Sequence, residues 1–269
     1  MILSSFAKIN LGLKVESKRE DGFHNLDMIM QSVSLCDYVH ISKIKEKKIY
    51  VSCNKPVCDE KSNLAYKAAK IIFDKTSPNF GFKIHIEKNI PFGAGLGGGS
   101  SNAASVILAL DKILKLNLSY KEKIDISLKI GSDVPFCLFG GTLRCRGRGE
   151  ILSYVNGLTD CKVLIKEGSQ KSFTSNAFKI LDKVLCEEEN SEKIELLNES
   201  LKTNDINLIS KRCFNDFENI IKVPKNWHLT GSGSAYFKIV EKSFTTINND
   251  VIICEPVDCG VRIIENNWN

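Results

Sequence analysis

Ile90-Pro-Phe-Gly-Ala-Gly-Leu-Gly-Gly-Gly-Ser-Ser-Asn-Ala-Ala104 packs five glycines into fifteen residues, between two regular patterns. Upstream, Phe82, Ile84 and Ile86 alternate with Lys83, His85 and Glu87, the period-two signature of a half-buried strand. Downstream, Ala103, Val106, Ile107, Leu110, Ile113 and Leu114 recur every three or four residues, as in an amphipathic helix. Ser100, Ser101 or Asn102 is placed to cap that helix. Glycine leaves backbone N–H groups uncovered, and a helix start adds unpaired donors and partial positive charge. A strand–glycine turn–helix of this kind predicts an anion site, phosphate above all. A merely flexible loop is the plain alternative.

Two better-known phosphate loops fit poorly. Gly-x-x-x-x-Gly-Lys-Ser fails because Gly99, not lysine, precedes Ser100. Gly-x-Gly-x-x-Gly matches at Gly93, Gly95 and Gly98, but a second helical pattern (Ile124, Ile126, Leu128) follows where a dinucleotide fold needs a strand ending in an acid. A nicotinamide enzyme is therefore the rival enzyme class.

The 269 residues, 43% hydrophobic, suffice for two modest domains or one large one. No apolar run reaches the length of a membrane span. The start, Met1 to Lys8, has neither signal-peptide nor transit character, so a cytoplasmic location is expected. Ten cysteines without a Cys-x-x-Cys read as buried thiols, not as disulfides or a structural metal site. A net charge of +5, spread along the chain, suits a small anionic substrate better than nucleic acid.

Along the chain, Ala7 to Val15 reads as a strand with Ile9, Leu11, Leu13 and Val15 on one face. Lys8 and Asn10 share the other face, either turned to solvent at a sheet edge or set to act on one ligand. Glu20-Asp21-Gly22 is a turn, and His24 after it is a proton carrier, a base contact or a loop residue. Ser62-Asn63 caps a helix over 64–75. Gly131-Ser-Asp-Val-Pro-Phe136 holds Asp133 on a stiff turn, as a cap or as a general base. Turn residues at 157–161 mark a domain boundary, giving 1–157 and 158–269. A second glycine turn, Leu229-Thr-Gly-Ser-Gly-Ser-Ala235, leads into another strand.

Pro91 to Ala104 resembles the phosphate loop of the GHMP kinases (galactose, homoserine, mevalonate and phosphomevalonate kinases), and Leu229 to Ala235 is similar to their C-terminal glycine motif. Ala7 to Leu13, Asp21 to Leu26 and Gly131 to Phe136 resemble one branch of that family. This branch phosphorylates the tertiary alcohol of a methylerythritol unit carried on cytidine diphosphate, in the non-mevalonate route to isoprenoid precursors. The resemblance implies an α/β (α+β) two-domain fold. Its N-terminal domain would have a mixed sheet and bind nucleotide, its C-terminal domain would be an α/β sandwich, and the active site would lie between them. It implies ATP and Mg²⁺ as cofactors, with Lys8 and Asp133 as the catalytic pair and Asp133 the base. Pro91, Phe92, Gly93, Ala94, Gly95, Leu96, Gly97, Gly98, Gly99, Ser100 and Ser101 would cradle the phosphates, with Asn63 and Lys88 near the adenosine. Asn10, Phe23, His24 and Phe178 would hold the cytidyl end, Phe23 standing where the family usually has tyrosine.

Overall fold

The structure, a computed structural model, describes residues 1–56, 58–168, 174–181, 192–245 and 250–268. The chain enters as a long hairpin in which β1 (Ile2–Lys18) and β2 (His24–Ile44) pair antiparallel, from Ile2 opposite His40 to Lys18 opposite His24. Next, β3 (Ile49–Cys53), α1 (Leu64–Thr76) and β4 (Gly81–Glu87) form a strand–helix–strand unit with parallel strands. The glycine loop then leads into α2 (Gly98–Ile113), α3 (Tyr120–Leu128), α4 (Val134–Phe139) and the hairpin β5 (Thr142–Gly147) and β6 (Ile151–Tyr154). Local chemistry sets these boundaries. Asn63 Oδ1 accepts from Ala65 N at 2.9 Å to start α1, and a reciprocal Ser119–Glu122 capping box starts α3.

The remainder supplies β7 (Cys161–Lys166), α5 (Thr174–Leu181), α6 (Lys193–Thr203), α7 (Ile206–Arg212), β8 (Phe214–Asn215), β9 (His228–Leu229), β10 (Tyr236–Glu241), β11 (Ile252–Cys254) and β12 (Val261–Glu265). Among the described residues, eight strands form one mixed sheet around the order β12-β1-β2-β4-β3, with β5, β6 and β8 attached. Four others form a second sheet, β11-β7-β10-β9. A cut at 157/158 separates the two sheets with two exceptions. β8 pairs with β1 in parallel and β12 pairs with it antiparallel, so the chain's tail returns to the first sheet.

This return changes the environment of β1. It is not a solvent-facing edge strand: Lys8 to Leu13 is buried on both faces. Leu3, Leu13 and Val15 join the core under α1 and α2 with Met30, Ile41, Ile84 and Val106. Ala7, Ile9 and Leu11 instead join a second core with Val163, Phe237, Ile194 and Leu197. The expected common face of Ile9, Leu11, Leu13 and Val15 is thus divided. A register shift between Asn10 and Gly12 is the reason, because a bulge inserts one residue and reverses the alternation beyond it. Leu13 thereby turns to the side of Lys8 and Asn10. Packing beside the bulge is close, since a Cβ on Gly12 would lie 2.7 Å from Leu197 Cδ2. The nine described cysteines are all free thiols, and among the described residues no helix is long and apolar enough to cross a membrane.

Candidate active site

The glycine loop owes its shape to an alternation. Gly93, Gly95 and Gly97 take φ of 71°, 79° and 70°, the left-handed region where a side chain is strained. Between them, Ala94 and Leu96 drop their side chains into the second core. Two anchors thus hold the backbone while its glycines bring amides to the surface. The expected serine or asparagine cap is absent: α2 starts at Gly98, two residues before Ser100, and its N-cap Gly97 makes no side-chain cap bond. Ser101 and Asn102 are instead buried inside the helix. The first-turn N–H groups therefore have no side-chain cap and remain open to an anion.

Lys8 threads between this loop and the second glycine turn. Its backbone N–H donates to Leu96 O at 3.0 Å, and a Cβ on Gly97 would lie 2.9 Å from Lys8 Cγ. Its ammonium, on a residue only 2% exposed, donates to Asn10 Oδ1 at 2.7 Å and lies 3.5 Å from Asp133 Oδ2. Asp133 occupies the N-cap position of α4, yet its side chain makes no capping bond. Its carboxylate, one third exposed, faces Lys8 and the open space beyond. Asn10 Oδ1 is shared further with Gly231 N at 2.9 Å and Thr230 Oγ1 at 3.4 Å. Thr230 Oγ1 also lies 3.2 Å from Gly95 O, and Ala235 N donates to Ala94 O at 3.0 Å, so the two glycine turns are joined.

One cavity of about 650 Å³ contains these groups. Lys8, Asn10, Gly95, Gly97, Ser100 and Asp133 line it together with Phe23, His24, Arg148, Phe178 and Phe217. The hairpin turn sets the aromatic part, where Gly22 has φ of 84° and Arg19 N donates to Phe23 O at 2.7 Å. Phe23 is 47% exposed, with the Arg148 guanidinium 3.7 Å above its ring. His24 stacks on Phe178 at 5.0 Å, and Phe178 meets Phe217 edge-on at 4.9 Å. Lys8, Asp133, Asn10, Phe23, His24 and Phe178, spread along the sequence, are thus gathered around one space.

The other expected site residues do not line this cavity. Pro91, Phe92, Gly93, Ala94, Leu96, Gly98, Gly99 and Ser101 shape or flank the loop without lining the cavity. Asn63 caps α1. Lys88, expected near the adenosine, is 5% exposed and its ammonium is committed to Asp37 and Asn102. Arg148, Ser132 and Phe217 were not anticipated. Gly147 and Gly149 around Arg148 marked a turn, but nothing local placed that turn over Phe23.

Behind the second glycine turn, a short 3-10 turn, 216–219, carries two acids, Asp216 buried and Glu218 half-buried. Asp216 Oδ2 accepts from Val15 N at 2.8 Å, and Glu218 Oε1 accepts from Leu229 N at 2.8 Å. Burial pushes Glu218 up to about 7, nearby Asp216 adds to the rise, and the Leu229 bond opposes it. A raised carboxylate binds its proton more tightly when folded. Its contribution is therefore full below the ordinary 4.5 and is lost as pH rises through about 7. Glu218→Gln keeps the acceptor for Leu229 and removes the titration. In urea unfolding between pH 5 and pH 8, this variant is expected to flatten the pH slope of stability by roughly 2 kcal/mol. A wild-type slope unchanged by the substitution would refute the assignment.

The family of GHMP kinases N terminal domains matches residues 63–141, the span from the cap of α1 through the glycine loop and Asp133. A 4-diphosphocytidyl-2-C-methyl-D-erythritol kinase of Clostridium botulinum is 39% identical over 82% of this chain and 78% of its own. One of Caldicellulosiruptor saccharolyticus is 35% identical over 92% of this chain and 90% of its own. Among solved structures, a 4-(cytidine 5'-diphospho)-2C-methyl-D-erythritol kinase superposes with a TM-score of 0.70 at 28% identity, covering 88% of this chain and 89% of that one. A homoserine kinase of Cytophaga hutchinsonii reaches 0.75 at 17% identity over 98% and 97% of the two chains, a likeness of fold.

Proposed function

Since the chain belongs to the 4-diphosphocytidyl-2-C-methyl-D-erythritol kinases, ATP-dependent small-molecule kinases within the GHMP family, we propose that it moves the γ-phosphoryl of ATP onto the 2-hydroxyl of that cytidyl alcohol. The observation that carries this reading is the Lys8–Asp133 pair at 3.5 Å, in one cavity with the open amides of α2 and the aromatic group around Phe23. ATP's triphosphate lies along the amides from Gly95 to Ser100, where backbone donors and the helix dipole favour negative charge. Asp133 takes the proton of the attacking hydroxyl, whose oxygen bonds to the γ-phosphorus as the bond to ADP breaks. Lys8, held by Asn10 beside Asp133, offsets charge on the reacting oxygens.

Mg²⁺ fits the groups present. Among the described residues no cluster of three or more His, Cys, Asp or Glu forms a cage. Asp133 is the one acid among the described residues lining the cavity, and Ser100 lines it too, which suits an ion bound mainly by nucleotide phosphates and water. When bound, it supplies neutralisation of phosphate charge.

The cytidyl end belongs beside Phe23 and His24, with Phe23 braced by Arg148 as a stacking surface. ADP release with the cytidyl substrate, and none with mevalonate, is the expected result with purified protein, ATP and Mg²⁺. Phe23→Ala should raise KM for the cytidyl substrate roughly tenfold through lost stacking while KM for ATP holds. Equal turnover on mevalonate would sink the substrate assignment, and an unmoved KM would sink the stacking role.

A further inference from the structure

Beneath the phosphate loop lies a buried polar cluster that the reaction does not touch. It comprises Asp37 on β2, Lys88 in the turn after β4, and Asn102 in α2, with relative exposures of 0%, 5% and 2%. The Lys88 ammonium bonds Asp37 Oδ2 and donates to Asn102 Oδ1 at 2.9 Å. Asn102 Nδ2 donates to Asp37 Oδ2 at 2.9 Å and to Ser5 Oγ on β1 at 2.7 Å. The second Asp37 oxygen accepts from the backbone N–H of Asn89 at 2.7 Å and of Ile90 at 2.8 Å. Both sides of the loop are therefore tied to one carboxylate, the entry at 89–90 through its amides and the exit through α2.

Stability alone is a weak reason for such a cluster, because desolvating an ion pair cancels much of its attraction. Its placement is more telling. The Lys88 ammonium lies 3.2 Å from where a Cβ of Gly98 would stand, behind the first residue of α2. A cation at the positive end of a helix is unfavourable by itself. Here Asp37 neutralises it from one side, and an anion on the loop would favour it from the other.

We propose that Asp37, Lys88 and Asn102 are positioning residues that fix the separation of the phosphate loop's two ends and align its amides for a triphosphate. This rests on the kinase reading above. A displacement of 1 Å in such a cradle is enough to cost one to two orders of magnitude. Asn102→Ala cuts the tie between α2 and the ion pair while leaving Lys88 bonded to Asp37. It is expected to raise both the Kd of a non-hydrolysable ATP analogue and KM for ATP about tenfold, with KM for the cytidyl substrate unchanged.

Ser5→Ala removes only the outer bond of Asn102, and should shift the same two constants by a smaller factor even if Asn102→Ala does not fold. ATP affinity unchanged in Ser5→Ala and in any folded Asn102→Ala overturns the proposal. A parallel loss of both ligands with a fall in Tm does so too, since that marks a general structural role. A wild-type protein that binds no ATP analogue would instead refute the kinase reading itself, so the two failures are distinguishable.

Discussion

Asp133→Asn is expected to lower kcat about 10³-fold while KM for ATP stays close to the wild-type value. The asparagine keeps the shape and an oxygen acceptor but cannot take up the hydroxyl proton. Since the native carboxylate makes no capping bond and is one third exposed, α4 does not depend on it for its start. The lost rate therefore measures chemistry, not folding. The amides from Gly95 to Ser100, proposed to bind the nucleotide, are untouched by the change. Stopped-flow or coupled ADP assays give kcat, and equilibrium titration gives ATP affinity. Turnover near the wild-type rate would remove Asp133 from its role as base, and a matching loss of ATP affinity would make it a binding residue.

Gly95→Ala should weaken ATP binding about tenfold or more and lower stability, through two separate penalties. The first is conformational: φ of 79° costs an L-residue about 1 kcal/mol or more. The second is steric, since the new Cβ would lie 2.1 Å from Thr230 O and 3.2 Å from Gly233 O, both backbone atoms of the second glycine turn. Backbone cannot step aside as a flexible side chain can, so the two turns must part. Parting them stretches the contact of Thr230 with Gly95 O and the Ala235–Ala94 bond, and with them the support of Lys8 through Asn10. Gly93 is the control. Its φ is 71°, but a Cβ there meets nothing within 4 Å, so Gly93→Ala carries the conformational cost alone. Thermal unfolding and ATP titration of both variants separate the penalties. If the two alanines behave alike, the close approach of the turns has no functional weight.

Much of this site is legible in local sequence because local sterics produce it. Alternating glycines in Gly93-Ala-Gly-Leu-Gly97 announce a backbone that needs positive φ at every second residue. Period-two and helical repeats on either side locate the strand and the helix, and Asn63 and Ser119 open their helices as their type predicts. The helix start at Gly98 was misplaced because good cap residues follow it. Their preference for a cap loses to burial, for Asn102 is worth more bonded to Asp37 and Ser5 inside the protein. Nothing in the local sequence shows that β2 brings Asp37 against Lys88.

The sequence by itself determined the strand–glycine turn–helix, the second glycine turn, and the residue types available for proton transfer. Tertiary structure alone decided that Lys8 faces Asp133, that Asn10 spends its oxygen holding Lys8 and Gly231, and that Arg148 lies over Phe23. The physical reason is range. Backbone sterics and capping act across a few neighbouring residues. Which distant side chains meet depends instead on strand register, on one bulge beside Gly12, and on a chain tail that returns to bury β1 from its second side.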